Sequence, residues 1–151
     1  MAVWQFDCYI IPKKNVTANA CLESDEILVW GKQTAAIEKI DFLEKQKSWS
    51  PKISQYGKSD ETCIEFLYEK EILIEIYCRL DLRSLSKKIL EKILGYAQEI
   101  DGMIFYENKI YTPKIDEIVE VIKKSNANKF CQSPICFFEE ISQKSNKPPI
   151  F

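Results

Sequence analysis

The sequence contains no histidine, and this absence removes several classes of enzyme at once. Ser-His-Asp and Cys-His hydrolysis, HExxH metal sites and acid–base catalysis by an imidazole all need a histidine side chain. Glycine is scarce as well. The four glycines are Gly31, Gly57, Gly95 and Gly102, and their spacing fits neither GxGxxG nor GxxxxGK(S/T). We therefore do not expect a nucleotide-binding enzyme, and no cofactor is predicted.

The cysteines are scattered and form no CxxC motif. The six are Cys8, Cys21, Cys63, Cys78, Cys131 and Cys136. An all-thiolate zinc site would need four of them to converge from distant positions, so no metal site is predicted. Cys8 and Cys78 fall on apolar strand faces, where a free cysteine acts as a small hydrophobic residue. Reduced thiols in a cytoplasmic protein are the expectation.

Three further features limit the kinds of partner. The N-terminal stretch MAVWQFDCYIIPKK has no basic n-region and only a short apolar run, so it is not predicted to be a signal peptide. No segment approaches the roughly 20 apolar residues of a membrane span. The net charge of −2 provides no basic footprint for nucleic acid. We therefore expect neither a membrane nor a nucleic acid as partner.

A two-residue alternation near the middle of the chain indicates the fold class. Residues 62–68 and 72–83 are predicted to pair as a long hairpin. One face of its second strand is apolar and the other charged or aromatic: Ile74, Ile76, Cys78, Leu80 and Leu82 against Glu75, Tyr77, Arg79, Asp81 and Arg83. This pattern is typical of a strand with one buried and one solvated face.

Helices complete the predicted fold. Apolar residues at helical spacing predict helices over residues 34–45, 85–100 and 114–124, the second capped by Ser84 and stopped by Gly102. A shorter hairpin is expected over residues 103–112, turning around Asn108. From about residue 125 the chain is expected to be irregular. With 151 residues it fits a single domain, residues 1–151. The predicted class is α+β, a mostly antiparallel sheet with about three helices packed mainly on one face.

The long hairpin is also a candidate for contact with a partner. Residues 61–75 carry five carboxylates against one lysine, a local sum of −4: Glu61, Glu65, Glu69, Glu71 and Glu75 against Lys70. Such a surface would attract a basic partner by electrostatic steering. A solvated sheet face that carries the same charges is the alternative.

Aromatic residues extend the predicted contact surface. Tyr77 and Arg79 are residue types favoured at interface hot spots, although their alternation also fits an exposed charge ladder worth under about 1 kcal/mol per pair, or a face covered by a helix. Trp49 and Tyr56 bracket a turn-rich loop, and aromatic and small polar side chains in loops make good contact surfaces. Aromatic residues also commonly pin a long loop onto the core.

Two other functions are compatible with the sequence. A self-associating structural protein could dimerise through Tyr77 and Arg79, or through Phe137 and Phe138. A carboxylate-dependent enzyme is less favoured. Glu75 and Asp81 share a strand face but lie roughly 20 Å apart at about 3.3 Å per residue, whereas a glycosidase pair needs about 5 to 9.5 Å.

Part of the chain resembles small bacterial α+β proteins that act as immunity proteins for secreted or contact-dependent toxins. The resemblance rests on WSP at 49–51, YGKSDET at 56–62 and IYCRLDLR at 76–83. It implies a non-enzymatic protein that occludes the active site of a toxin made by the same cell. Such inhibitors often meet cationic nuclease surfaces with carboxylates. The implied contacts are Glu65, Glu69, Glu71 and Glu75, with Tyr77 and Arg79 as anchors.

Overall fold

The computed structural model describes residues 2–18, 25–32 and 37–132. Its strands are β1 Gln5–Pro12, β2 Gly31–Lys32, β3 Lys45–Gln46, β4 Ile53–Tyr56, β5 Cys63–Glu69, β6 Ile72–Asp81, β7 Gly102–Tyr106 and β8 Lys109–Tyr111. Its helices are α1 Lys13–Ala18, α2 Lys87–Glu99, α3 Ile115–Lys123 and α4 Asn126–Gln132, with a 3₁₀ turn at Asp25–Leu28. None of these helices is long and apolar enough to cross a membrane.

The strands form one sheet in the order β3-β4-β5-β6-β1-β7-β8, and β2 pairs with the start of β6. Every pairing between the described strands is antiparallel. Short turns connect β3 to β4, β5 to β6 and β7 to β8, as antiparallel neighbours allow. The predicted α+β class with a mostly antiparallel sheet is confirmed.

Helices α2 and α3 pack on one face of this sheet and complete the core. Leu90, Ile93 and Ala97 of α2 are buried together with Ile118 of α3. They meet the apolar side chains of the central strands: Phe6, Cys8 and Ile10 of β1, Ile64 and Phe66 of β5, and Ile76, Cys78 and Leu80 of β6. We call the opposite face of the sheet, which carries Asp7, Glu65, Tyr77 and Arg79, the second face.

A bulge in the β5–β6 hairpin corrects the predicted alternation. Phe66 pairs with Ile76 and Leu67 with Glu75, but Tyr68 then pairs with Leu73, so β6 carries one extra residue at this point. An extra residue reverses the side-chain alternation beyond it. Leu73 is therefore fully buried, while Ile74, which was expected in the core, is half-buried.

Both ends of α2 differ from the prediction, the start by two residues and the end by one. Helix α2 is capped by Ser86 rather than Ser84, and the Ser86 hydroxyl accepts a hydrogen bond from the backbone N–H of Ile89. Asp101, not Gly102, takes the left-handed conformation after the helix, with φ 55°. Gly102 is needed for another reason. A Cβ there would lie 2.8 Å from the Ile10 side chain, so glycine allows β7 to approach β1.

The helix predicted over residues 34–45 does not form in its described part. Residues 37–44 are irregular, and residues 33–36 lie outside the described residues. Apolar side chains of this loop still pack against the core: Ile37, Ile40, Phe42 and Leu43. Their spacing imitates a helical stripe, but the loop is fixed by its contacts with the sheet. The pair β3–β4 follows in a region that was predicted to be only turn-rich.

The second hairpin and helix α3 agree with the expectations, whereas the C-terminal end differs from them. The β7–β8 turn is centred on Glu107 and Asn108, both left-handed (φ 47° and 62°), as a two-residue hairpin turn requires. Helix α3 follows as predicted. The segment from residue 125, expected to be irregular, begins with α4. Residues 133–151, including Phe137 and Phe138, lie outside the described residues.

Candidate functional site

The eight residues predicted to contact a partner do not share one surface. Glu65, Glu75, Tyr77 and Arg79 belong to the second face of the sheet, and Tyr56 lies in the core. Trp49, Glu69 and Glu71 lie in or beside the turns at one end of the sheet. Each of the three groups has a different chemical environment, which decides what its members can do.

On the second face, Arg79 is engaged inside the protein. Its guanidinium forms an ion pair with Glu65, donates to the backbone carbonyl of Ser59 at 3.0 Å, and lies 5.0 Å from the centre of the Tyr77 ring. Only 14% of the Arg79 side chain and 7% of the Glu65 side chain are exposed. Tyr77 in turn donates to Asp7 at 2.8 Å. This network stabilises the sheet and leaves Glu65 and Arg79 little surface for a partner.

The charges of this network are consistent with a structural role. Burial lowers the pKa of Arg79, but the neighbouring Cys63 and Glu65 outweigh it and the pKa is raised, so the guanidinium stays charged. Burial and the hydrogen bond to Asp7 raise the pKa of Tyr77, so its hydroxyl remains a donor. Burial also raises the pKa of the adjacent Cys63 thiol to about 12.

The loop of residues 58–61 lies over one end of the second face. Gln5 donates to the carbonyls of Ser59 and Glu61 at 3.0 and 2.7 Å, and the Trp4 indole N–H donates to the carbonyl of Asp60 at 3.0 Å. The loop of residues 58–61 is thereby held over β1 and β6. The sequence had allowed for a helix that covers this face and pairs its charges internally; the charges of Glu65 and Arg79 are paired within the protein, and among the described residues the loop of residues 58–61 lies over this end.

Asp81, at the end of the same face, is buried and bound by Arg83. The Arg83 side chain donates to both Asp81 oxygens, at 2.9 and 3.0 Å, and stacks 4.0 Å from the centre of the Trp4 ring. Burial alone would raise the pKa of Asp81, but the hydrogen bonds and charge of Arg83 outweigh it and hold the pKa below its usual value. Asp81 is therefore an ionised partner of Arg83 rather than a proton donor.

Tyr56 fixes the loop of residues 37–44 and is not available as a surface contact. Its ring meets Phe66 edge-on at 5.8 Å, and its hydroxyl donates to Glu38 at 2.7 Å. Tyr68 donates to the other oxygen of Glu38, also at 2.7 Å. Burial, followed by the bond to Glu38, raises the pKa of Tyr56 to about 12. The sequence offered an anchor for the loop between Trp49 and Tyr56 as an alternative to a partner contact; in the structure Tyr56 anchors the loop of residues 37–44 instead.

Trp49, unlike Tyr56, is a surface residue, and 80% of it is exposed. The turn between β3 and β4 that carries it is nevertheless tightly bonded. The Ser48 hydroxyl donates to the carbonyl of Ile53 at 2.7 Å and accepts from the backbone N–H of Ser50. The Ser50 hydroxyl accepts from the N–H of Lys52 at 3.2 Å. An ordered turn thus holds a large aromatic side chain in solvent.

The β5–β6 turn lies beside this Trp49 turn at the same end of the sheet. The backbone N–H of Tyr68 donates to the carbonyl of Lys52 at 2.8 Å, which joins the two hairpins here. Ile72, at the start of β6, is 44% exposed and adds a second apolar side chain. The two turns form what we call the hairpin-end surface, made of Trp49, Lys52, Glu69, Glu71 and Ile72.

The charge of the hairpin-end surface is mixed. Glu69 and Glu71 are exposed, but so are Lys52 and Lys70, and Glu71 forms an exposed ion pair with Lys32 at 3.4 Å. Glu65 is buried. The run of negative charge in the sequence is therefore divided between two faces and partly neutralised by lysines. At the hairpin-end surface Glu69 and Glu71 are the carboxylates that could meet a basic partner, while Glu61 is exposed elsewhere and Glu75 is half-buried on the second face.

Several residues of these sites escaped the sequence analysis. Ile72 was assigned to a strand without its exposure being foreseen, although its place directly after a turn was a signal. Asp7 and Glu38 accept from tyrosines that lie 70 and 18 residues away in sequence, and no local pattern predicts such pairs. Ser48 and Ser50 on either side of Trp49 are typical of hydroxyl-bonded turns and could have been recognised.

Metal binding has no assembled site among the residues that the structure describes. No three Asp, Glu or Cys side chains among these residues lie close enough together to hold a metal ion. Glu75 and Asp81 lie six residues apart on β6, and Asp81 is its last residue. The chain matches no protein-family model, no curated protein and no solved structure.

Proposed function

We propose that this protein is a non-enzymatic protein-binding module, an immunity protein that neutralises a bacterial toxin by occlusion, and that its contact is centred on Trp49. The observation that carries the proposal is the 80% exposure of Trp49 in an ordered turn. The immunity role itself rests on the resemblance of residues 49–83 to such proteins. The exposure of Trp49 supports the proposed place of contact.

The physical argument is one of preorganisation. Burying a tryptophan removes 150–250 Å² or so of largely apolar surface from water, and tryptophan is among the commonest residues at binding hot spots. The hydroxyl groups of Ser48 and Ser50 already hold the turn, the first by donating and the second by accepting a hydrogen bond. Little backbone entropy therefore remains to be lost when a partner covers Trp49. Ile72 on the adjacent hairpin extends the apolar part of the contact.

The electrostatic part of the proposal concerns Glu69 and Glu71. These two exposed carboxylates would meet a basic toxin surface, while Glu65 and Arg79 would act only by supporting the sheet. Lys52 and Lys70 lie among them, so we expect a modest electrostatic contribution that affects mainly the association rate. Reversing Glu69 and Glu71 to lysine should slow association and make it less dependent on salt.

The test is an affinity capture from the native cell lysate with the wild type and Trp49→Asp, read by mass spectrometry. Val3→Asp is the matched control, because Val3 is also exposed (50%) and receives the same charge away from the hairpin-end surface. The captured protein is then purified. We expect Trp49→Asp to raise its Kd at least 30-fold or so, the equivalent of a hot spot of about 2 kcal/mol. Val3→Asp should leave the Kd unchanged.

The toxin part needs a separate readout. The captured partner, produced alone in a host cell, should arrest growth. Wild type and Val3→Asp should restore growth, and Trp49→Asp should not. A partner that binds Trp49→Asp as tightly as wild type removes the hairpin-end surface from the interface. A partner that is harmless when produced alone removes the immunity role but not the binding role.

Self-association is the alternative function. A homodimer through Tyr77 and Arg79 would have to use side chains that already bond to Asp7 and Glu65 within one chain. Sedimentation equilibrium distinguishes the two functions, because the binding module is expected to be monomeric at tens of micromolar. A dimer that dissociates in Trp49→Asp would mean that the hairpin-end surface contacts a second copy.

A further inference from the structure

Two thiols face each other across the central strands of the sheet. Cys8 of β1 and Cys78 of β6 are directly opposite in the antiparallel register, between the pairs Phe6–Leu80 and Ile10–Ile76. Directly opposite residues in such a pair have Cα atoms about 4.5 or 5.5 Å apart. A disulfide accepts Cα separations of roughly 4.4–6.8 Å. The backbone therefore already satisfies the spacing that a Cys8–Cys78 bridge requires.

Both cysteines are buried, at 5% and 1% exposed, but they differ in whether a cavity lies beside them. Cys8 lines a surface cavity of about 500 Å³ between the start of β1, the β7–β8 turn and the start of α4, together with Tyr106 and Asn126. Cys78 does not line this cavity and is 1% exposed. A hydrogen bond to Cys8 and burial raise the pKa of the Cys78 thiol. A small reagent that enters this cavity would thus reach Cys8 before Cys78, which lies directly opposite Cys8 on the neighbouring strand.

We propose that Cys8 and Cys78 form an intramolecular disulfide when the protein meets hydrogen peroxide. In the first step the Cys8 sulfur attacks one peroxide oxygen, the O–O bond breaks, and Cys8 sulfenic acid and one water are formed. In the second step the Cys78 sulfur attacks the sulfenic sulfur, the S–O bond breaks, and a second water leaves with the Cys78 proton. Two thiols lose two electrons, and the peroxide is reduced to two waters.

The sheet supplies an internal comparison in Cys63. It is fully buried like Cys78, but its side chain lies on the second face and its opposite neighbour is Arg79, not a cysteine. Burial raises its pKa to about 12. With no thiol across the strand pair, Cys63 should remain a free thiol under conditions that join Cys8 to Cys78.

The experiment uses the full chain, reduced and freed of reductant, then treated with hydrogen peroxide. Remaining thiols are alkylated in denaturant, and the peptides are identified by mass spectrometry. We expect one joined pair of peptides, carrying Cys8 and Cys78 and lighter by two hydrogens, which dithiothreitol separates. Cys63 should be alkylated. The oxidised chain should also melt at a higher temperature, because the bridge constrains the unfolded state.

Two variants keep the test sharp. Cys63→Ser should form the same bridge, and Cys8→Ser should leave Cys78 alkylated. If Cys8 is found over-oxidised to sulfinic acid while Cys78 stays a thiol, or if Cys78 joins another cysteine, the proposal is wrong. The peptides found in the oxidised wild type decide the proposal by themselves, so a Cys8→Ser variant that folds poorly would not change the conclusion.

Discussion

The buried ion pair between Glu65 and Arg79 makes the most demanding prediction of this structure. Both residues look like exposed contact residues in the sequence, yet their side chains are 7% and 14% exposed. Replacing Arg79 by leucine leaves the Glu65 carboxylate buried with no cation. One of its oxygens, Oε2, already lacks a hydrogen-bond partner among the described residues. The uncompensated charge should therefore dominate the loss of stability.

The expected size of the loss follows from the cost of an unpaired buried charge. Breaking such a pair by removing one partner costs about 3–5 kcal/mol. The lost contact of Arg79 with the Tyr77 ring, 5.0 Å away, adds roughly 0.5–1 kcal/mol. By contrast, the double replacement Glu65→Leu/Arg79→Leu leaves no stranded charge and should cost no more than about 1.5 kcal/mol.

Urea unfolding followed by circular dichroism measures these values as a double-mutant cycle. With an m value of about 2 kcal/mol/M, Arg79→Leu should lower the midpoint by roughly 1.7–3 M. The exposed pair Lys87–Glu91, 3.7 Å apart on α2, is the matched control. Its cycle should give a coupling of about 0.5 kcal/mol or less.

Two results would refute the reasoning. If Arg79→Leu lost under about 1 kcal/mol, the pair would be solvated rather than buried. If the loss of stability in the double variant equalled the sum of the losses in Glu65→Leu and Arg79→Leu, the two side chains would be uncoupled. A folded double variant should also bind the captured partner as wild type does, because neither residue belongs to the hairpin-end surface.

Two further predictions concern a close backbone approach and an acidic transition. Gly102→Ala should lower the free energy of unfolding by about 1–3 kcal/mol, because its Cβ would lie 2.8 Å from the Ile10 side chain. Gly95 lies in α2, and apart from its chain neighbours and the backbone of its own helix no atom would lie within 4 Å of an added Cβ. Gly95→Ala should therefore raise the free energy of unfolding by about 0.5–1 kcal/mol. Urea titration of the two glycine variants checks these opposite signs. Arg83 holds the pKa of Asp81 in the folded protein below its usual value of 3.8. The pair therefore stabilises the fold at pH values above 3.8, and this contribution is lost as the pH falls through the pKa of Asp81 in the folded protein. Acid titration should therefore destabilise wild type more than Asp81→Asn between about pH 5 and pH 2, and equal losses would contradict the role of the pair.

The candidate site shows where sequence patterns stop being informative. Trp49 and Tyr56 look alike in sequence, two aromatic residues at the ends of one loop. Tyr56 belongs to a strand whose register aims it at Phe66 and Glu38, whereas Trp49 lies in a turn that exposes it. The same limit applies to Glu65 and Glu69, four residues apart on one strand. Glu65 is buried and paired with Arg79 of the neighbouring strand, whereas Glu69 is exposed at the turn.

The α+β class, the antiparallel hairpins and the helices α2 and α3 could be predicted from the sequence, because two-residue and helical periodicities are local properties. The sequence also excluded histidine chemistry and glycine-rich phosphate loops. Tertiary structure decided the rest. The bulge that exchanges Leu73 for Ile74 depends on pairing with Leu67 and Tyr68. The loop of residues 37–44 is held by tyrosines from distant strands, and these contacts outweigh its helical spacing. Which charges are buried and which are exposed depends on partners far away in the chain, and only the folded sheet brings them together.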